Sequence, residues 1–131
     1  MAQVYAAKYL AKAAMSERLA APDGTPSAAL VRLYEAWARG GAGLLITGNV
    51  MVDRRALGET GNVVIDSAGT PRSDDRLLDA LRAWAHAAKS GGARVWMQLN
   101  HPGRQSPRFL SKQPVAPSAV PMAGPGSQAF A

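Results

Sequence analysis

The side chains best able to do chemistry stand together at the end of one apolar run. In RVWMQLNHPGR, Arg94 to Arg104, strand-forming residues pass straight into Gln98, Asn100, His101, Gly103 and Arg104. Alternation along a strand puts Trp96, Gln98 and Asn100 on one face and Val95, Met97 and Leu99 on the other. A carboxamide offers a donor and an acceptor side by side, so Gln98 is suited to reading a polar edge. The remaining groups suggest less. His101 precedes Pro102 and Gly103 and reads as a turn residue bonded to its own loop, and His86 stands among alanines on the surface side of a helix; neither points to a metal site. Arg104 reads as a loop clamp or ion-pair partner, and Asp53, Arg54 and Arg55 as a solvated loop with local pairs. Ser16 with His101 makes no hydrolase pair, since no nucleophile-elbow sequence surrounds Ser16.

The elements that position these residues come from one unit used twice. Over Thr25 to Arg39, Thr25 is the expected helix cap and Pro26 suits the first turn, while Leu30, Leu33, Tyr34, Trp37 and Ala38 recur with helical spacing as one apolar stripe. Gly40 and Gly41 end that helix, and Gly43 to Thr47, GLLIT, follows as a short apolar strand. The pattern returns with Ser73 as cap and Asp74 and Asp75 at the positive end of the helix dipole. Leu77, Leu81, Trp84, Ala85 and Ala88 form the second stripe, Gly91 and Gly92 stop it, and Ala93 to Leu99 is the next strand. Amphipathic helices alternating with buried strands predict a parallel α/β sheet, either doubly wound or a (β/α)8 barrel. No G-x-G-x-x-G follows a strand and no G-x-x-x-x-G-K-[ST] occurs, so the glycines are helix terminators and not phosphate cradles.

Ligands of such folds gather at the carboxyl ends of the strands. Three stretches are predicted there: Lys12 to Arg18, the run Thr47, Gly48 and Asn49, and Gln98 with Asn100 and His101. The pair of groups on Gln98 complements the edge of a flavin, a pyrimidine or an amide. Gly48, without a side chain, lets a flat ring approach the backbone.

Composition narrows the setting. The chain has 131 residues, 47% of them hydrophobic, and no cysteine, which excludes disulfides and thiolate chemistry and fits a reducing, cytoplasmic compartment. No apolar run approaches the roughly 20 residues needed to span a bilayer, and the N-terminus lacks the pattern of a signal peptide; no membrane partner is expected. The formal charge of +6 raises nucleic acid as a partner, but the basic residues are scattered and not interleaved with aromatics, so no nucleic-acid partner is expected either.

From about Leu10 onward the chain resembles the Old Yellow Enzyme family, the FMN-dependent NADH:flavin oxidoreductases and ene-reductases built on a (β/α)8 TIM barrel. The resemblance lies in an ordered set: KAAMSERLA after the first strand, ARGGAGLLITG, VMVDRRALGE, and VWMQLNHPGRQS leading to APSAVP. It implies a flavoprotein with FMN as cofactor and NAD(P)H as reductant, passing hydride to the flavin N5 and from there to the β-carbon of an activated alkene, an enone-type small molecule. It further implies cofactor-binding roles for Ala14 and Met15 as packing positions, Ser16 near the flavin O4 and N5, Gly48 under the ring, and Gln98 on the pyrimidine edge. No catalytic residue and no metal ligand is assigned to this chain.

Departures from the family pattern are Ala14 where many relatives have proline, Arg18 where some have a substrate-contacting tyrosine, and an atypical lead-in over residues 1–9. Residues 10–131 are expected to form a partial TIM-barrel domain of about three strands, ending in the Pro/Gly-rich loop that begins at Gln113. The substrate-binding His-x-x-His or His-x-x-Asn, the proton-donating tyrosine, the basic residue near N1 and the phosphate loops belong to later strands. The sequence by itself is therefore expected not to turn over, its open sheet edges leaving room for a homo-oligomer. A non-catalytic truncated remnant, or a basic anion- or nucleic-acid-binding module, are the alternative readings.

Overall fold

The computed structural model describes residues 9–66 and 73–120. Most of the lead-in, residues 1–8, and the last part of the tail, residues 121–131, lie outside the described residues. In chain order the elements are β1 (Ala11–Lys12), α1 (Ala28–Arg39), β2 (Leu44–Met51), β3 (Val63–Val64), α2 (Asp74–Lys89), β4 (Arg94–Asn100) and a 3-10 turn (Gly103–Gln105). All strand pairs are parallel: β2 pairs with β1 through its first residues, with β3 through its last, and with β4 along its length. The two helices pack together and against the sheet, the arrangement of two successive β/α units of a barrel.

Helix α1 buries Leu30, Tyr34 and Ala38, and α2 buries Leu77, Trp84, Ala87 and Ala88. These are the predicted stripes, and with Leu45, Val50, Val63 and Ala93 they make one core. Tyr34 joins the two helices: its ring meets Trp84 edge-on at 5.1 Å and Trp37 at 4.9 Å, geometries that place a positive ring edge over a negative face. Both helices end as expected, with Gly41 and Gly92 in the left-handed region at φ 82°, which costs an L side chain steric strain.

Two expectations need correction, and two features are new. The cap of α1 is Ser27, whose hydroxyl accepts the Leu30 N–H, and not Thr25. Thr25 instead donates from N and Oγ1 to the Asp23 carboxylate and is buried, since its short polar side chain suits a local turn. Strand β2 does not stop at Thr47 but runs to Met51, so Thr47, Gly48 and Asn49 lie within it and not at its end. The β2–β4 ladder also breaks step. Ile46 pairs with Trp96 but Asn49 with Gln98, so Thr47 and Gly48 together oppose Met97, a β-bulge in a parallel pair. Burial along β2 shifts phase there, from Leu45 and Thr47 to Gly48 and Val50. The two-residue β3 was not anticipated.

Strand β4 contrasts with β2. Trp96, Met97 and Leu99 are 62%, 42% and 59% exposed, so the strand's two apolar faces are only partly covered by the described residues.

Candidate functional site

The loop after β1 folds back over β2. A Cβ on Gly48 would overlap the Met15 carbonyl oxygen and the Glu17 carboxylate, so glycine is required here by the chain's own backbone. That contact brings Met15 against Gly48 and carries Ala14 and Ser16 alongside. Met15 is half exposed and Ser16 exposed, leaving both on the open side of the crossing.

Glu17 fixes the crossing. Its Oε1 accepts from Tyr34 Oη at 2.5 Å and from Gly48 N at 3.1 Å, and lies 3.8 Å from Lys12 Nζ. Lys12 also donates to the Ile46 carbonyl at 2.9 Å and stands 4.1 Å over the Trp37 ring. Burial pulls the Lys12 ammonium below its usual range, with the Glu17 charge opposing. Burial also pushes the Tyr34 hydroxyl far above its usual value, reinforced by its bond to Glu17, so at any physiological pH this phenol is a donor. Sequence reasoning missed this group. Glu17 and Lys12 were within a marked strand-end stretch, but nothing in their spacing indicated a shared partner in Tyr34, which the helical pattern assigned to the core.

Gln98 lies across from Asn49 in the ladder. Its backbone N–H donates to Thr47 Oγ1 at 2.9 Å, bridging the bulge, and its side-chain Nε2 donates to Asn49 Oδ1. The same Asn49 oxygen accepts from Asn100 Nδ2 at 3.1 Å. Three carboxamides thus form one patch spanning β2 and β4, with the Asn100 Oδ1 buried and without a hydrogen-bond partner among the described residues. A buried acceptor left unpaired is costly, and an N–H from a bound ring would relieve it. This neutral donor and acceptor set fits the polar edge of a flavin. Of the sequence-predicted site residues, Ala14, Met15, Ser16 and Gly48 meet at the crossing, and Gln98 joins through Asn49, the neighbour of Gly48 in sequence.

Other expectations resolve more simply. His101 Nδ1 accepts the Gly103 N–H at 3.1 Å, the expected local turn. Arg55 pairs with Asp53 at 2.8 Å, and the Arg55 guanidinium holds the Asp53 carboxyl down to about 2. Arg54 departs from the solvated-loop reading: it is half-buried and reaches the Asp66 carbonyl at 3.1 Å. Arg104 is exposed and forms no ion pair among the described residues, so the clamp expected of it is absent there. The clamp is Ser106, buried, whose hydroxyl donates to the Leu57 carbonyl at 2.8 Å. Among the described residues no group of three metal-ligating side chains occurs, and no helix is long and apolar enough to cross a membrane.

A parallel sheet flanked by helices, with polar groups collected where a loop crosses the second strand, is consistent with part of a (β/α)8 barrel. Comparison with known proteins specifies which one. No family model matches. The chain is 40% identical over 117 residues to an NADH-dependent flavin oxidoreductase of Hypocrea jecorina, covering 85% of this chain and 28% of that relative. It is 36% identical over 118 residues to another of that name from Aspergillus parasiticus, covering 85% and 26%. Among solved structures, the Old Yellow Enzyme homologue from Zymomonas mobilis superposes with a TM-score of 0.73 at 26% identity, over 93% of this chain and 34% of that one. Morphinone reductase gives 0.67 at 27% identity, over 85% and 28%. Over most of its length the chain is thus similar to members of the Old Yellow Enzyme family, and it spans little more than a quarter of the length of these two curated relatives.

Proposed function

We propose that this chain forms one wall of the flavin site of an FMN-dependent oxidoreductase of the NADH:flavin oxidoreductase type. The observation that carries the reading is the joined site: the Met15 backbone crossing Gly48, flanked by the carboxamide patch with its unpaired Asn100 oxygen. Relatives named NADH-dependent flavin oxidoreductase supply the cofactor and reductant class, and a morphinone reductase structure in complex with tetrahydroNAD agrees with a nicotinamide reductant. FMN, when bound, supplies the hydride-transfer chemistry.

The chain's own residues bind and orient. Ala14 and Met15 pack against the ring, Ser16 offers a hydroxyl that stabilises charge gathering on it, Gly48 keeps the crossing close, and Gln98 bonds the polar edge. Residues 10–131 form the first part of the barrel domain in this reading, residues 1–9 its lead-in, and the protein is cytoplasmic. The substrate is a small molecule with an activated, enone-type alkene. In this reading the groups that hold such a substrate and the flavin phosphate come from later strands of the barrel, and residues 10–131 contribute the wall described above. Any homo-oligomer would form by covering the β4 edge.

The test is to purify the natural protein, with the coding sequence read past the codon for Ala131, and titrate it with FMN. Saturable binding that Gln98→Ala weakens at least about tenfold, the loss of a hydrogen-bonded edge, is expected. A protein that neither carries nor takes up FMN would overturn the reading.

A further inference from the structure

We propose that Asn49 is a positioning residue: its side-chain oxygen fixes which way the Gln98 carboxamide faces, and so the order of donor and acceptor presented to the flavin edge. This rests on the reading of Gln98 as a flavin ligand.

A carboxamide looks nearly the same after a half-turn about its last bond, yet the turn exchanges oxygen for NH2. A glutamine that reads a ring edge must hold one of the two orientations before the ring arrives, or binding must include the cost of selecting it. Asn49 supplies the selection. Its Oδ1 accepts from Gln98 Nε2, and a half-turn of Gln98 would set two carbonyl oxygens against each other. Nor can Asn49 readily turn to accommodate it, because the same Oδ1 accepts from Asn100 Nδ2 at 3.1 Å. One oxygen shared by two N–H donors makes reorientation a concerted event of three side chains. The result is that Gln98 Oε1, which takes no hydrogen bond among the described residues, and the second Nε2 hydrogen are left in fixed order for a ligand.

The bulge is what makes the contact. Counting by twos from Leu45 would group Asn49 with Leu45 and Thr47; the extra residue at Thr47 and Gly48 shifts the phase, and Asn49 pairs with Gln98. The main chain adds a second restraint, since Thr47 Oγ1 holds the Gln98 N–H at 2.9 Å.

The experiment compares Asn49→Ala, Asn49→Asp, Gln98→Ala and the Asn49→Ala/Gln98→Ala double variant of the natural protein by two readouts. In the flavin-free protein, NMR of the Gln98 side-chain amide should show one proton shifting upfield in Asn49→Ala as it loses its acceptor, and staying near its original position in Asn49→Asp. In FMN titrations, Asn49→Ala should weaken binding about tenfold, Asn49→Asp by less than about threefold, and the double variant no further than Gln98→Ala, as residues acting through one another are non-additive. A Gln98 amide unmoved in Asn49→Ala, or additive losses in the double variant, would overturn the proposal. Should the natural protein bind no FMN, the flavin reading falls, while the amide resonances still decide whether Asn49 orients Gln98.

Discussion

Two polar clusters flank Gly48, and they are built on opposite plans. Glu17, Lys12 and Tyr34 form a charged group roofed by Trp37, in which the Glu17 oxygen is shared among a hydroxyl, a backbone N–H and an ammonium. Asn49, Gln98 and Asn100 form a neutral group on the edge of the sheet, with an acceptor left over. A buried charge must be fully partnered or it destabilises the fold, so the first cluster is closed and its partners are all internal. A neutral amide can stand with one capacity unmet at smaller cost, so the second is where a ligand can complete the set. The closed cluster holds the loop on the sheet; the open one is where the proposed flavin would bind.

If that division is right, damage to the closed cluster should appear in stability and damage to the open one in ligand affinity. The largest effect is expected from Glu17→Ala, which leaves Lys12 buried without its counter-charge and is expected to cost about 4 kcal/mol, measured by urea unfolding of the natural protein. The loss should shrink as pH rises. Lys12 is already pulled below its usual value of 10.5 by burial, so between the folded and unfolded values the unfolded chain binds more protons and stability increases with pH; removing Glu17 lowers the folded value further and widens that window. A loss that does not change with pH would show that the Lys12 charge is not what Glu17 offsets.

Next in size is Gly48→Ala. The added methyl overlaps the Met15 carbonyl and the Glu17 carboxylate, so overpacking of about 2–3 kcal/mol is expected. Because this crossing belongs to both clusters, the variant should lower the unfolding midpoint and weaken flavin uptake together. Unchanged flavin affinity in a destabilised variant would detach the loop from the site and sharpen the division further.

The smallest effect serves as the control. Arg55 beside it holds the Asp53 carboxyl down to about 2, below the usual 3.8, so the pair's stabilisation is fully present above that ordinary value and fades as pH falls through about 2. Both groups are solvent-accessible, so the contribution is slight and screened by salt. Unfolding midpoints of Asp53→Asn and wild type should therefore draw together between about pH 4 and pH 2, with flavin binding unaffected at neutral pH.

Much of the frame was legible in the sequence because it obeys simple periods. Leu30, Tyr34 and Ala38, then Leu77, Trp84 and Ala88, announce two helices with one buried face each, and the glycine pairs mark their ends. Gln98 was legible as a polar residue on an apolar strand. What the sequence did not show depends on contacts between residues far apart in the chain. Tyr34 reads as core by spacing, and only the fold reveals that its hydroxyl meets Glu17. Asn49 was placed at a strand end, when it lies inside the strand and out of phase with its predecessors. Ser27 and Thr25 are both acceptable caps by residue type; the choice between them follows from Asp23, which claims Thr25 for its own turn.

The bulge at Thr47 and Gly48 has a consequence for how this strand can vary. Upstream of it β2 keeps one alternation and downstream the other, so the surplus residue is taken up at the junction and the pairing with β4 resumes at Asn49. Losing one residue there would restore an unbroken ladder with β4 and leave Asn49 opposite Gln98, with Asn49, Val50 and Met51 on their present sides. At the bulge this strand can absorb a change of length by one that elsewhere along it would be a change of side.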